Sequence, residues 1–446
     1  MSISRRLAGG LLGLAIGSLA IVIGCTQGDN PVDPVVRTPG VANTQTLTFP
    51  VLASNPWNDP SGRVLSIAYA SDTSLDVPQQ PFPVLYLLHD YGGDGKYFER
   101  YNIQNVLDDL YRKGEIGRMM VVTVDASNFF GGSYYRNSPA SGQYAQLIND
   151  VIAHVERTFR VFGKGGRESR GISGHGMGGY GAMRFAMDRP DLFGSVSSMS
   201  GPLSLGGSDG RSGVLKWTDA VFAENNVPVG SDSAYREIYP AFGKRFTKQL
   251  VAMAAAFSPH PLEVLISVDT TIGCLKCKLD PFPCYDPSEY FYCKPCSLFT
   301  SQVAGPTTLL FMTLGKKRSC ISDSTFANPA PIGVDLPFDW NKARVDSVWA
   351  RWLSNDVKSS FTSNPLVFDS TAVYFDCGVD DDDRELGYIE QNRDFDAAMG
   401  SVPHEFKEYS GFGGVPAGHS QFIQERLREV IKFHDKNFRR APGPRP

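Results

Sequence analysis

Residues 171–182 read Gly171-Ile172-Ser173-Gly174-His175-Gly176-Met177-Gly178-Gly179-Tyr180-Gly181-Ala182. A short strand-like run ends in closely spaced glycines, and a helical pattern begins at once. This is the layout of a sharp strand-to-helix turn, where glycine lets backbones approach closely. The version of that turn that displays a nucleophile reads Gly-x-Ser-x-Gly. Here its register is Gly174, His175, Gly176, Met177, Gly178, with glycine at the serine position. The fold is easily argued from this stretch; the activity is not.

Outward from the turn, strand-like and helix-like segments alternate. Gln45–Val51 and Arg63–Ala70 are expected as early antiparallel strands. Val84–Leu88 and Met119–Asp125 are short apolar runs that suit parallel strands buried on both faces. Tyr144–Phe159 repeats apolar residues at helical spacing, including Leu147, Val151 and Val155. Gly171–Ser173 ends a strand, Met177–Met187 opens a helix, and Ser195–Met199 is a strand again. After a long interruption come strands at Ala372–Cys377 and His404–Tyr409. A last helix, Gln421–Phe438, places Ile423, Leu427, Val430 and Ile431 on one face. This order predicts an α/β protein with a doubly wound, mostly parallel sheet. The core is expected at 44–205 and 366–440. Residues 206–365 read as a lid-like insertion rich in Pro, Gly and Ser, with no regular pattern and a cysteine-rich segment at 274–296.

The chain has 446 residues, 20% charged, with a net charge of −4. No basic stripe appears, so a nucleic-acid partner is not expected. The N-terminus differs from the rest. Arg5 and Arg6 precede an apolar stretch, Leu7 to Gly24, that reads as an export signal. It ends Val22-Ile23-Gly24-Cys25, which resembles a bacterial lipobox, with residues 1–25 as the lipoprotein signal. In that class Cys25 is lipidated; an ordinary signal peptide or a single membrane anchor is the alternative. Residues 26–43, rich in Pro, Asp, Gly and Thr, read as a flexible tether. The expectation is an exported protein held to a bacterial membrane by its N-terminal lipid, at the outer membrane or cell surface.

The chemistry is expected from two later motifs. Asp376-Cys377-Gly378-Val379-Asp380-Asp381-Asp382-Asp383 follows a strand, and Ala417-Gly418-His419-Ser420 precedes the last helix. Nucleophile, acid and histidine follow one another in this order in α/β-hydrolases. A carboxylate there would fix the tautomer of His419 and stabilise its charged form. The backbone N–H of Met177, just after the turn, and that of Tyr91, in the loop after the third strand, are candidate oxyanion donors.

These motifs resemble a bacterial esterase family that includes S-formylglutathione hydrolase (esterase D), feruloyl esterases, enterochelin esterases and mycolyltransferase antigens. The likeness is carried by LYLLHDYGGDG at 85–95, GGSYYRNSPASG at 131–142, GISGHGMGGYGA at 171–182, FDCGVDDDD at 375–383 and AGHS at 417–420. It implies an α/β-hydrolase with Asp381 as acid, Asp380 as fallback, and His419 as base. It also implies a small-molecule or carbohydrate ester as substrate and no cofactor. Two departures stand out. Gly176 replaces the family's serine, and Asp90 replaces the usual glycine after the strand-three histidine. A carboxylate at 90 would oppose a developing oxyanion if it pointed inward; pointing outward it would be inert. Two functional readings follow. One is carboxylic ester hydrolysis or acyl transfer, with a water beside Gly176 activated by His419. The other is a catalytically dead surface binding protein.

The insertion holds Cys274, Cys277, Cys284, Cys293 and Cys296. The spacing of Cys274-x₂-Cys277 and Cys293-x₂-Cys296 fits zinc, whereas an exported chain favours disulfides. Both remain open, with Cys320 or Cys377 as a further bridging partner.

Overall fold

The computed structural model describes residues 43–53, 59–70, 82–159, 166–207, 216–230, 244–260, 266–269, 274–277, 291–294, 308–314, 317–323, 331–339, 341–381 and 387–438. The expected signal segment with Cys25 lies outside them, as does the expected tether up to residue 42. Among the described residues, no helix is long and apolar enough to cross a membrane.

Eight strands form the main sheet. They are β1 (Asn43–Thr48), β2 (Gly62–Ala70), β3 (Val84–Leu88), β4 (Met119–Val124), β5 (Arg170–Gly174), β6 (Ser195–Met199), β7 (Ala372–Gly378) and β8 (Glu405–Tyr409). Their order is β1-β2-β4-β3-β5-β6-β7-β8. β1 pairs antiparallel with β2, and β2 with β4; every other pairing is parallel. β3 and β4 are almost wholly apolar and buried along their whole length, as central parallel strands must be.

Helices cover both faces. Val84, Tyr86 and Leu88 pack with α2 (Tyr144–Thr158), α3 (Met177–Asp188) and α4 (Tyr388–Met399). Leu85 and Leu87 pack with α1 (Ile103–Arg112) and α5 (Ile423–Asn437). This is the α/β-hydrolase fold. The period of two along β3 assigns alternate residues to the two layers.

Between β6 and β7 the structure departs from the expected irregularity. A second sheet runs in the order Phe291–Lys294, Lys317–Asp323, Thr308–Leu314, Pro331–Asp335, Pro259–His260. A separate hairpin pairs Ile266–Asp269 with Cys274–Cys277. Helices occupy Trp217–Glu224, Arg245–Phe257, Asp346–Asn355 and Val357–Ser363. The root of the insertion is fastened by hydrogen bonds. The Trp352 indole N–H donates to Ser258 Oγ (2.8 Å), and that hydroxyl donates to the Asp335 carbonyl (2.6 Å). The backbone register sets Cys293 beside Cys320. The side chains of Cys274, Cys277, Cys293 and Cys296, and with them the choice between disulfide and zinc, lie outside the described residues. Cys377 is corrected as a bridging candidate. It is a buried free thiol in β7, with Sγ 3.4 Å from Asp381 Oδ2.

Candidate active site

The turn after β5 keeps the geometry of a nucleophile elbow. Gly176 sits at φ 52°, ψ −115°, immediately before α3. Its N–H donates to the Met199 carbonyl (2.8 Å), and the N–H of His175 donates to the Leu88 carbonyl (3.1 Å). The elbow is thereby pinned to the ends of β6 and β3. The flanking glycines are a steric necessity. A Cβ on Gly174 would lie 2.2 Å from the Gly178 carbonyl carbon, and one on Gly178 would lie 2.0 Å from the Leu88 oxygen.

His419 precedes α5 and meets the elbow from the other side. Its imidazole is stacked between Tyr388 (ring centroids 4.8 Å apart) and His175 (4.5 Å). Nδ1 lies 3.1 Å from Asp381 Oδ1 and 3.2 Å from Oδ2. Asp380 is directed elsewhere, and its carboxylate accepts the Ala417 N–H at 2.7 Å. The backbone of His419 is fixed as well. Its carbonyl accepts from His175 Nε2 (2.9 Å) and from Arg426 Nη1 (3.2 Å). Arg426 in turn is buried against Asp376, its Nε 2.7 Å from Oδ1, and donates to Ser200 Oγ at 2.8 Å. No motif marks this support: Arg426 is one charged residue on an amphipathic helix, and Tyr388 stands apart from every motif.

Asp90 decides the character of the site. Its carboxylate points inward. Oδ1 accepts the Met177 N–H at 2.8 Å, and Oδ2 lies 3.0 Å from His419 Nε2. A Cβ built on Gly176 would fall 1.9 Å from Asp90 Oδ1 and 2.9 Å from His419 Nε2. The carboxylate therefore occupies the space of the missing serine side chain and one arm of the expected oxyanion hole. This corrects the expectation of room for a water beside Gly176. Below it, His89 is completely buried. It accepts the Ala126 N–H on Nε2 (2.9 Å), so Nδ1 carries the proton and donates to the Asp90 carbonyl (2.8 Å). The backbone at 90 is thus held while its side chain crosses the site. Tyr91 turns its hydroxyl away, donating to the Phe130 carbonyl at 2.7 Å.

Electrostatics follow from this packing. Burial opposes charge on His419, but the facing carboxylates of Asp381 and Asp90 outweigh it and hold its pKa up at about 10. Burial opposes charge on Asp90 and Asp381 too. Pairing with His419 nevertheless keeps both below the usual carboxylate range. At neutral pH His419 is an imidazolium that donates a proton to each side, and an imidazolium cannot act as a general base. Burial, reinforced by the charge on His419, lowers His175 to about 3. It is neutral. Its Nε2–H donates to the His419 carbonyl, and its Nδ1 accepts from the Tyr97 hydroxyl at 2.7 Å. Asp90, His175 and His419 each offer one ligand atom, and these atoms all lie within 4.8 Å of one another.

Ser173 lies below the elbow and away from this centre. It accepts a hydrogen bond from Ser197 Oγ (2.7 Å), while Ser195 and Ser197 engage Nδ1 and Nε2 of His434 at 2.7 and 2.8 Å.

Comparison with known proteins concerns the family and fold. The profile of a family described as "Putative esterase" matches residues 73–425. Two esterases of Mycobacterium tuberculosis are each 28% identical over 129 residues, which is 28% of this chain and 26% of theirs. The match thus spans about a quarter of the length of these curated relatives. A solved ferulic acid esterase is similar with a TM-score of 0.49 at 17% identity, over 90% of this chain and 99% of that one. An S-formylglutathione hydrolase from Agrobacterium tumefaciens is similar with a TM-score of 0.46 at 13% identity, over 90% and 96%.

Proposed function

This chain belongs to the "Putative esterase" family, and from that premise we propose that it is an exported, lipid-anchored member that forms no serine acyl-enzyme. It acts as a surface binding protein on an esterase scaffold. One observation carries this reading. The Met177 N–H and His419 Nε2, the two groups that would serve a reacting ester, are both engaged by the carboxylate of Asp90. Ester cleavage by the family's route needs a nucleophile, a neutral imidazole and a vacant oxyanion hole. This centre supplies an Asp90–His419–Asp381 ion-pair chain in their place. The Asp90 carboxylate has the charge and shape of the acid that ester hydrolysis would release, so the centre resembles a product-filled site.

The ligand class that suits such a scaffold is a small-molecule or carbohydrate ester. Anchoring through Cys25 rests on the sequence of the first 25 residues alone. The test uses the full-length chain in detergent. Short-chain p-nitrophenyl esters and methyl ferulate should be turned over no faster than in buffer, and a fluorophosphonate probe should leave the protein unlabelled. Turnover by the wild type that is lost in His419→Ala would overturn the reading. Replacing Cys25 by serine should release the protein from the membrane fraction.

A further inference from the structure

We propose that Asp90, His175 and His419 form a binding site for a divalent transition cation, zinc being the best fit. The inference rests on the reading above, in which Asp90 has taken the place of the serine. A serine at 176 with glycine at 90 would bring no carboxylate here.

The donor atoms are close neighbours, and the stacked rings of His175 and His419 would have to tilt apart to aim at one ion. Asp90 Oδ2 is 3.0 Å from His419 Nε2 and 3.9 Å from His175 Nδ1. All three lie within 4.8 Å of one another. Zinc bound at about 2.0–2.1 Å to nitrogen and oxygen draws tetrahedral donors to roughly 3.4 Å apart. Side-chain adjustments on the order of 1 Å supply that. Two imidazoles and one carboxylate suit zinc, cobalt or nickel better than magnesium or calcium, which prefer all-oxygen sites.

Each donor also has an outer partner behind it. Metal-binding side chains are held by an outer partner on the atom that does not bind. Here all three are. Asp381 takes His419 Nδ1, leaving Nε2. The His419 carbonyl takes the Nε2–H of His175, leaving the Nδ1 lone pair. The Met177 N–H takes Asp90 Oδ1, leaving Oδ2. The side chains of Asp90 and His419 are 13% and 11% exposed, whereas that of His175 is fully buried. A fourth coordination position would therefore open on the side of Asp90 and His419, where water or a ligand carboxylate can enter. Two existing contacts must yield. His419 Nε2 now donates its proton to Asp90 Oδ2 at 3.0 Å, and the metal would displace that proton to solvent. The Tyr97 hydroxyl now caps His175 Nδ1, and on metal binding it would turn to the Tyr101 oxygen, 3.5 Å away.

The test starts from full-length protein stripped with chelator and then dialysed against zinc. Elemental analysis should show one equivalent that the isosteric variant Asp90→Asn binds at least tenfold more weakly. His175→Gln should lose it too. Because His175 is buried and that variant can fail to fold, cobalt substitution of the wild type gives an independent readout. Visible d–d absorption without a thiolate charge-transfer band marks nitrogen and oxygen ligands. A thiolate band that persists in Asp90→Asn would place the metal on the insertion cysteines and overturn the proposal. So would equal zinc uptake by the wild type and Asp90→Asn, or no uptake at all. In the last case stripped protein still inert to esters and to fluorophosphonate would leave the non-acylating reading standing. Ester turnover by the stripped protein would sink that reading instead.

Discussion

Two histidines near the C-terminal end of this chain are in opposite states. His434, on α5, is surrounded by Ser195 and Ser197 with no carboxylate among its hydrogen-bond partners, and burial lowers its pKa to about 3. His419, before the same helix, lies between Asp381 and Asp90, which raise its pKa to about 10 despite burial. The first region pairs a histidine with serines and, among its hydrogen-bond partners, no carboxylate. The second pairs a histidine with two carboxylates and has glycine at the crown of the elbow. Desolvation sets the neutral state as the default, and only facing carboxylates reverse it. What a histidine can do depends on its partners more than on its depth.

The comparison can be broken most forcefully by restoring a serine. The double variant Asp90→Gly/Gly176→Ser frees the Met177 N–H and Nε2 of His419 together. It should gain fluorophosphonate labelling and p-nitrophenyl ester turnover. The ceiling is the roughly millionfold effect of a serine nucleophile, on the order of 8 kcal/mol of barrier. Gly176→Ser alone should gain nothing, because its Cβ would collide with Asp90 Oδ1. A single variant as active as the double would show that Asp90 swings clear.

Next in size is the support beneath His419. Asp376→Asn leaves Arg426 buried without its counter-charge, and urea denaturation should show a loss of about 3–5 kcal/mol. A loss below ~1 kcal/mol would mean that the pair is not sealed from water.

The His419 ion pairs should also appear as pH dependence. Its folded pKa lies above the ordinary value of 6.5, so the stability it contributes is complete below about pH 6.5 and is lost as pH rises through about 10. Denaturation midpoints should fall across that window, and less steeply in Asp90→Asn. Identical slopes in the two proteins would separate His419 from Asp90. The smallest effect is expected from Ser173→Ala. It removes one neutral hydrogen bond worth about 1 kcal/mol and leaves probe labelling of the double variant intact.

Much of this was legible beforehand. Val84–Leu88 and Ser195–Met199 have the bounds expected of them; the first is an apolar run and the second, Ser-Val-Ser-Ser-Met, is set between Gly194 and Gly201. Chain order points to an aspartate run after a strand and to His419 before the last helix, while the choice of Asp381 within that run comes from the family resemblance. The second sheet could not be read. Phe291–Lys294 and Lys317–Asp323 pair directly in parallel although Thr308–Leu314 lies between them in the chain, so nothing local announces them. Arg426 and Tyr388 were invisible for the same reason: their partners are remote in sequence.

Local periodicity and glycine sterics, which act over a few residues, were enough to place the main sheet, the elbow and the glycine at its crown. That Asp90 turns inward and fills the space beside Gly176 emerged only once distant segments packed together. That outcome depends on three backbone segments, at 88–93, 174–178 and 417–420, meeting within hydrogen-bonding distance. Coulombic attraction to His419 and one free N–H at Met177 then outweigh the solvation the carboxylate gives up.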